Sequence, residues 1–144
     1  MTLLWMIMEK GVGLHDQYID KQMIYTNLIA IPIILLYYLA LSEKKKKFYQ
    51  GKMDFKEGLK AGLVMTLVIA ILSPLIQYIT SIYISPMYFA NMIKYSVEKK
   101  MLTLDQAQQY FSLNNYLKQS AYGALVMGVL TSAIVAAFLK SKVK

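Results

Sequence analysis

The amino-acid sequence predicts an all-α, polytopic membrane helical bundle with four transmembrane helices, formed by residues 1–144 as a single membrane domain. Hydrophobic residues make up 57% of the chain, and the mean hydropathy is +0.41. The apolar residues are collected in long runs without a charge, which a soluble domain of this size does not need. The sequence has no cysteine, so it offers neither a disulfide framework nor a thiolate metal site.

Three spans follow from the uncharged runs. Residues 23–41, 61–84 and 120–139 hold 19, 24 and 20 consecutive residues without a charge. A bilayer core about 30 Å thick requires roughly 20 apolar residues in helical form. Lipid offers the backbone no hydrogen-bonding partner, so each run is expected to be a helix. We place the spans at residues 23–41, 59–84 and 120–139.

The start of the chain predicts a partial first span. Residues 1–14 contain only eight residues before Glu9, too few to cross a bilayer as a helix. We expect a transmembrane helix that is short at its N-terminus, with roughly ten more residues upstream in the natural protein, given the length of a span. Inspection of the gene upstream of Met1 would test this. A short re-entrant or interfacial helix is the alternative.

The lysines predict the orientation. Seven of the sixteen basic residues lie within residues 42–60, and Lys140, Lys142 and Lys144 follow the last span. Because positive residues collect on the cytoplasmic side, this loop and the C-terminus are expected in the cytoplasm of a multi-pass bacterial inner-membrane protein. No nucleic-acid partner is expected, since the arginine forks that read bases are missing and the membrane explains the lysines.

Residues 85–119 predict two short amphipathic extracytoplasmic helices between the last two spans. Ser85, followed by proline, is typical of a helix start with serine as the N-cap. Thr103 and Gln106 have the spacing of a capping box, which predicts the second start. The asparagine pair at residues 114–115 is expected to break or bend the chain before the last span.

Two stripes of small residues predict close helix packing. In membranes, helices associate through small residues four positions apart, which let two backbones approach. The last two spans each carry such a stripe, and the predicted packing positions are Gly58, Gly62, Ala124, Gly128 and Ser132. The stripes either face each other or form a contact between copies of the chain.

A second group of residues is a candidate polar face. Ser73, Gln77 and Thr80 share one side of the third span at offsets of four and three, and Asn27 lies on the preceding span. They either line a polar cavity or form interhelical hydrogen bonds, which are worth about 0.6 kcal/mol each on average.

Few residues are candidates for chemistry. His15 is the single histidine, and it lies near Glu9, Asp16 and Asp20. This group could hold a divalent metal or relay a proton, but a hydrated turn with helix-capping acids is the preferred interpretation. No phosphate-binding loop or protease motif is present. We therefore expect no catalytic residues, no metal and no cofactor, and a protein that is not an enzyme.

Several stretches of the sequence together are similar to one family of small bacterial membrane proteins. They are EKGVGLHDQYID, IPIILLYYLAL with its lysine-rich continuation, SPLIQYITSIYISPMYF, TLDQAQQYF and YGALVMGVLTSAIVAAFLK. The chain resembles the family called domain of unknown function 4199 over nearly its whole length. The resemblance implies four membrane helices with a longer extracytoplasmic segment before the last one, and it implies no activity.

The function expected from these observations is structural. We expect a non-enzymatic accessory or assembly component of the bacterial envelope, with the lipid bilayer and a membrane protein or a second copy of the chain as partners. The alternative is a small-molecule transporter or channel component that acts as an oligomer around Ser73, Gln77 and Asn27.

Overall fold

The computed structural model describes residues 1–141, and every regular element in that range is helical. The two lysines at positions 142 and 144, on which part of the predicted orientation rests, lie outside the described residues. The elements are α1 (Thr2–Gly11), α2 (Ile19–Tyr25), a 3₁₀ turn (Thr26–Ile29), α3 (Ala30–Lys47), α4 (Phe55–Ile79), a π-helical turn (Thr80–Ile84), α5 (Tyr88–Glu98), α6 (Leu104–Tyr110) and α7 (Leu113–Leu139).

Three helical stretches are long and apolar enough to cross a membrane: Ile19–Lys47, Phe55–Ile84 and Leu113–Leu139. They contain the three complete spans that the sequence predicts, so the all-helical, membrane-type character is confirmed. Helix α1 has ten residues, and the fourth span stays a prediction.

The lysine-rich segment at residues 42–60, predicted as a loop, lies mostly in helices α3 and α4. Helix α3 continues through its four consecutive lysines to Lys47, because lysine is a good helix former and Lys47 pairs with Glu43 one turn earlier. Helix α4 begins just after Asp54, whose backbone N–H donates to Glu57 while its carboxylate accepts from the Glu57 N–H, both at 2.8 Å. Such reciprocal bonds satisfy free donors at a helix start.

The described chain divides into two compact units. Unit 1 consists of Met1–Ile29 and Leu72–Ser120, and unit 2 of Ala30–Ile71 and the described residues from Ala121 onward. Helices α4 and α7 therefore contribute residues to both units.

The core of unit 2 is apolar and is closed by hydrogen bonds at the end of α7. Its buried members are Tyr37, Leu41, Met53, Ala61, Val135 and Leu139. The Lys45 ammonium donates to the Leu139 carbonyl at 2.7 Å, and the Ser141 N–H donates to the Met53 carbonyl at 2.8 Å. A lysine at a helix C-terminus satisfies a carbonyl that the helix itself leaves free.

Both small-residue stripes lie in unit 2, where they face each other. A Cβ added at Gly62 would lie 2.6 Å from the Cβ of Ser132, and one added at Gly58 would lie 3.1 Å from the Cβ of Ala136. Real side chains do not approach to 2.6 Å, so the backbones of α4 and α7 are as close as glycine permits at this level. Ala124 is half-buried on α7.

A short hydrogen-bonded chain crosses the same contact. A Cβ added at Gly128 would overlap the Thr66 side chain. The Thr66 hydroxyl donates to the Gly62 carbonyl at 2.9 Å. The Tyr37 hydroxyl lies 2.9 Å from the Thr66 hydroxyl. The Ser132 hydroxyl, fully buried, donates to the Gly128 carbonyl at 2.6 Å. Because these hydroxyls find partners inside unit 2, they can be buried there without the cost of an unpaired polar group.

In unit 1, helices α5 and α6 pack around Met92, Ala107 and Phe111. The predicted capping box at the start of α6 is confirmed: the Thr103 hydroxyl accepts from the Gln106 N–H at 3.3 Å, and the Gln106 side chain accepts from the Thr103 N–H at 3.1 Å. The extracytoplasmic position of both helices stays a prediction.

Two predicted helix boundaries in unit 1 are wrong. Ser85 is not a side-chain cap, since α5 begins at Tyr88 and the Ser85 hydroxyl contacts a histidine ring instead. The asparagine pair at residues 114–115 does not break the chain, because both lie in the first turn of α7. Ser112 provides the start there: its hydroxyl accepts from the Asn115 N–H at 3.4 Å.

Candidate functional site

A carboxylate is fully buried near the end of α1. Glu9 is 0% exposed, and its Oε1 accepts a hydrogen bond from the indole Nε1 of Trp5, one turn earlier, at 2.7 Å. A buried charge is expensive unless it is paired and hydrogen-bonded, so Glu9 requires a second partner for its other oxygen.

That partner is His15, which the loop after α1 folds back toward the helix. Gly13 adopts a φ of +80°, a left-handed conformation that favours glycine, and the Leu14 N–H donates to the Glu9 carbonyl at 2.9 Å. Asn91 of α5 holds the loop from the other side, because its amide donates to the His15 carbonyl at 3.0 Å. His15 is 3% exposed, and its Nε2 lies 3.1 Å from Glu9 Oε2.

The opposite ring nitrogen of His15 contacts Ser85. The His15 Nδ1 lies 2.5 Å from the Ser85 hydroxyl, which is 6% exposed. Ser85 follows the π-helical turn, where its N–H donates to the carbonyl of Thr80, five residues earlier, at 2.8 Å. The side chains of Trp5, Glu9, His15 and Ser85 thus form one hydrogen-bonded chain, which we call the Glu9–His15–Ser85 chain.

The Ser85 end of this chain reaches a cavity of about 340 Å³ within unit 1, which we call the polar cavity. Eight of its eleven lining residues carry an amide or a hydroxyl, although carbon atoms make up most of the wall's surface; the lining residues are Met6, His15, Gln22, Met23, Thr26, Gln77, Thr80, Ser81, Ser85, Tyr88 and Tyr116. The Gln77 amide donates to the Ser81 hydroxyl at 3.1 Å. Burial raises the pKa of the Tyr88 phenol, so this hydroxyl stays a donor, directed at Gln22 Oε1 3.4 Å away.

The Glu9 end lines a second cavity of about 470 Å³, also within unit 1. Its wall is mostly apolar and aromatic, and includes Trp5, Tyr18, Lys21 and Tyr25 as well as Glu9. The hydrogen bond between Glu9 and His15 therefore joins the walls of two cavities. A histidine that is hydrogen-bonded at both ring nitrogens can pass a proton from one neighbour to the other.

Of the four residues of the candidate polar face, two line the polar cavity and two do not. Gln77 and Thr80 line the polar cavity, whereas Ser73 is half-buried and is not part of its wall. Asn27 is exposed, and its amide donates to the Met23 carbonyl of its own helical stretch at 2.6 Å. Asparagine often bonds to a nearby backbone carbonyl in this way, which removes Asn27 from the predicted face.

The hydrated turn predicted around His15 is also wrong. His15 and Glu9 are buried, while Asp16 and Asp20 are exposed, so the four do not form one cluster. Asp16 accepts from the Asn91 amide at 2.8 Å. In residues 1–141 no group of three or more histidine, cysteine, aspartate and glutamate side chains could hold a metal ion.

Sequence reasoning missed Ser81 and Ser85 as members of the site. Both continue the spacing of four from Ser73 and Gln77, so a polar stripe of four residues was visible in the sequence. The pairing of Ser85 with His15 gave no local signal, since 70 residues separate them.

The fold and the site together define a small helical protein with membrane-type helices and a buried acid–imidazole–hydroxyl chain. The model of the family described as Protein of unknown function (DUF4199) matches residues 1–141, and the chain belongs to this family. The resemblance seen in the sequence is thereby confirmed. No curated protein and no solved structure matches the chain.

Proposed function

We propose that this protein is a transport or channel component of the membrane that takes up a small polar molecule in the polar cavity. The observation that carries the proposal is the polar cavity itself, with a buried ionisable pair behind its wall. Ionisable side chains at membrane depth are costly, and they typically mark substrate, ion or proton pathways. Glu9 and His15 supply the ionisable groups that the uncharged spans lack.

The size and lining of the cavity support binding over a purely structural role. Polar groups that only join helices bond to one another and leave no space, as Thr66 and Ser132 do in unit 2. The polar cavity measures about 340 Å³, which is at the lower end of the roughly 300–1,000 Å³ typical of small-molecule pockets. A single ordered water needs only about 10–15 Å³ of comparable space.

A non-enzymatic accessory or assembly role is the second candidate. It draws on the many apolar side chains exposed along the membrane-type helices, such as Ile31, Val64 and Phe138, which a bilayer or a partner would cover. Recovery of a partner in fixed stoichiometry from native membranes would favour this role, and recovery of the chain alone would count against it.

The transport proposal predicts that replacing Gln77 by leucine slows solute flux. Uptake of labelled urea, tetramethylammonium and methanesulfonate into liposomes containing the full chain would be compared with protein-free liposomes. We expect one of the three to enter at least tenfold faster with the wild-type protein, and the Gln77→Leu variant to lose most of this rate. The amide donates to Ser81 in the cavity wall, so leucine, a side chain of similar size, removes a polar group from that wall and leaves the Ser81 hydroxyl without this donor.

Asn27→Leu is the matched control for this experiment. It makes the same amide-to-leucine change in a residue that lies outside the polar cavity, and it should leave the flux unchanged. Equal flux with wild-type protein and Gln77→Leu, or no flux above protein-free liposomes for any probe, would overturn the proposal.

We further propose the orientation that the lysines predict, in a bacterial inner membrane with four spans. In that orientation the loop after α3 and the C-terminus are cytoplasmic, and α6 is extracytoplasmic. Residues 1–144 contain no cysteine, so single cysteines introduced into them report without background. In spheroplasts, a membrane-impermeant maleimide should label Asp105→Cys, but label Lys52→Cys only after lysis. Thr2→Cys should stay unlabelled in spheroplasts if α1 is part of a span, and the reverse pattern at positions 52 and 105 would refute the orientation.

A further inference from the structure

We infer that the Glu9–His15–Ser85 chain is a one-proton switch, and that the polar cavity exchanges that proton for a small organic ammonium ion. The inference rests on the proposed function of the same cavity, and it adds the class of the ligand and the ion that is exchanged for it. The observation behind it is that, among residues 1–141, this hydrogen-bonded chain joins a buried titratable pair to the wall of a cavity.

The geometry allows two protonation states with the same set of hydrogen bonds. When the pair carries one proton fewer, the Nε2–H of His15 donates to Glu9 and the free Nδ1 accepts from the Ser85 hydroxyl. The pair then has a charge of −1. When one proton is added at Nδ1, the imidazolium donates to both neighbours and the charge is 0. A serine hydroxyl can act as donor or acceptor, so no bond has to break.

The added proton reverses what Ser85 offers to the cavity. Without it, the Ser85 O–H points to His15 and its lone pairs face the polar cavity, where a ligand N–H can donate to them. With it, Ser85 accepts from His15 and its own O–H is free to point into the cavity. The first state favours a ligand that is positively charged and carries donors, and the second state disfavours such a ligand.

The charge of the Glu9–His15 pair also favours a cation in the polar cavity. Within residues 1–141 the ion-pair partner of Glu9 is His15, so the state with a charge of −1 has no lysine within ion-pair distance of the carboxylate. A cation in the polar cavity can supply that balance. The exchange is neutral overall: the protonated pair releases H⁺ to the solvent and the cation takes its place, with the total charge at the site unchanged.

The cavity wall favours an organic cation over a metal ion. The phenol rings of Tyr88 and Tyr116 lie in the wall, and aromatic faces attract ammonium groups. Met6 and Met23 add apolar surface for carbon atoms. A cavity of about 340 Å³ is far larger than the close oxygen cage that a metal cation needs.

Other titratable groups adjoin the chain and set the pH at which it switches. Lys21, Tyr18 and Tyr25 line the second cavity with Glu9, and Tyr88 and Tyr116 face His15 from α5 and α7. Asp16 and Lys10 are exposed neighbours on the loop and on α1. These groups are the same with and without ligand, so the test measures the change in midpoint that a cation produces.

Trp5 makes the switch directly measurable, because it is the single tryptophan of the chain and donates to Glu9. The fluorescence of the full-length protein in detergent would be titrated with pH in the absence and presence of methylammonium chloride. We expect one transition whose midpoint falls as methylammonium rises, approaching one pH unit per tenfold increase once binding is saturated, since reciprocal linkage requires the cation to expel the proton. The exposed-acid control Asp20→Asn should behave as wild type.

Two further probes and two variants complete the test. Tetramethylammonium has no N–H, so it should require a higher concentration than methylammonium, and this difference should vanish in Ser85→Ala, in which the buried pair stays intact. Glu9→Gln should lose the transition. Sodium chloride at equal ionic strength should leave the midpoint in place, and a sodium shift as large as that of methylammonium would mean a metal cation instead and overturn the ligand class.

The outcomes separate this inference from the transport proposal. A midpoint that no cation moves would overturn the exchange, even if labelled urea still crosses the membrane in a Gln77-dependent way. Conversely, a methylammonium-dependent midpoint in a protein that transports none of the three labelled solutes would support the switch and contradict transport.

Discussion

Replacing His15 by alanine is expected to destabilise the protein by about 3–5 kcal/mol, the cost of removing one partner of a buried ion pair. Glu9 is fully buried, and without the imidazole its Oε2 loses the hydrogen bond that it has at 3.1 Å. Ser85 loses its partner at the same time. Thermal unfolding of the detergent-purified protein, followed by Trp5 fluorescence, would measure the loss.

A double replacement distinguishes the cost of leaving the Glu9 charge unpaired from the cost of losing the packing of the His15 ring. The Glu9→Leu, His15→Phe protein has no buried charge, so it should be more stable than His15→Ala despite carrying more changes. Asp20→Asn, on an exposed acid in the first turn of α2, is the neutral control. If His15→Ala unfolds at the same temperature as Asp20→Asn, the buried pair does not stabilise unit 1 as argued.

Replacing Gly128 by leucine is expected to disrupt the contact between α4 and α7 in unit 2. Even a single added carbon would overlap Thr66, and a leucine side chain is far larger. Overpacking a close contact costs typically about 1–3 kcal/mol and sometimes more. The chain of hydroxyls from Tyr37 through Thr66 would be displaced as well. We expect a lower unfolding temperature in detergent and a smaller yield of monodisperse protein.

Gly123→Leu is the matched control, since Gly123 lies on the same helix with open space where a side chain would project. The two variants make the same change in composition and in helix propensity. Equal unfolding temperatures for Gly128→Leu and Gly123→Leu would contradict the close contact, whereas a loss confined to Gly128→Leu would support it.

The sequence predicted the spans because membrane helices are specified locally. An uncharged run of about twenty residues has one stable solution in lipid, whatever the rest of the chain does. The capping box at Thr103 was equally local, since both of its bonds join residues three apart. For the same reason the stripes around Gly62 and Gly128 could be read from spacing alone.

The site could be predicted only in part, because local signals compete with distant partners. Ser85 has the sequence of a helix cap, but His15, 70 residues away, takes its hydroxyl. Asn27 was predicted to belong to a polar face, but its side-chain amide donates to the Met23 carbonyl one turn earlier. Gln77 was identified from its spacing with Ser73 and Thr80 on the third span, whereas its location in the polar cavity could be seen only in the folded chain.

The π-helical turn at the end of α4 lets the chain carry one extra residue beside the site. A π-helical turn holds one residue more than an α-helical turn, and it closes here through the bond from the Ser85 N–H to the Thr80 carbonyl. Because the wider turn accommodates the extra residue, Ser85 leaves the helix in nearly the direction that a regular helix one residue shorter would give it. A single-residue insertion at this point of the chain is therefore compatible with the contact between Ser85 and His15.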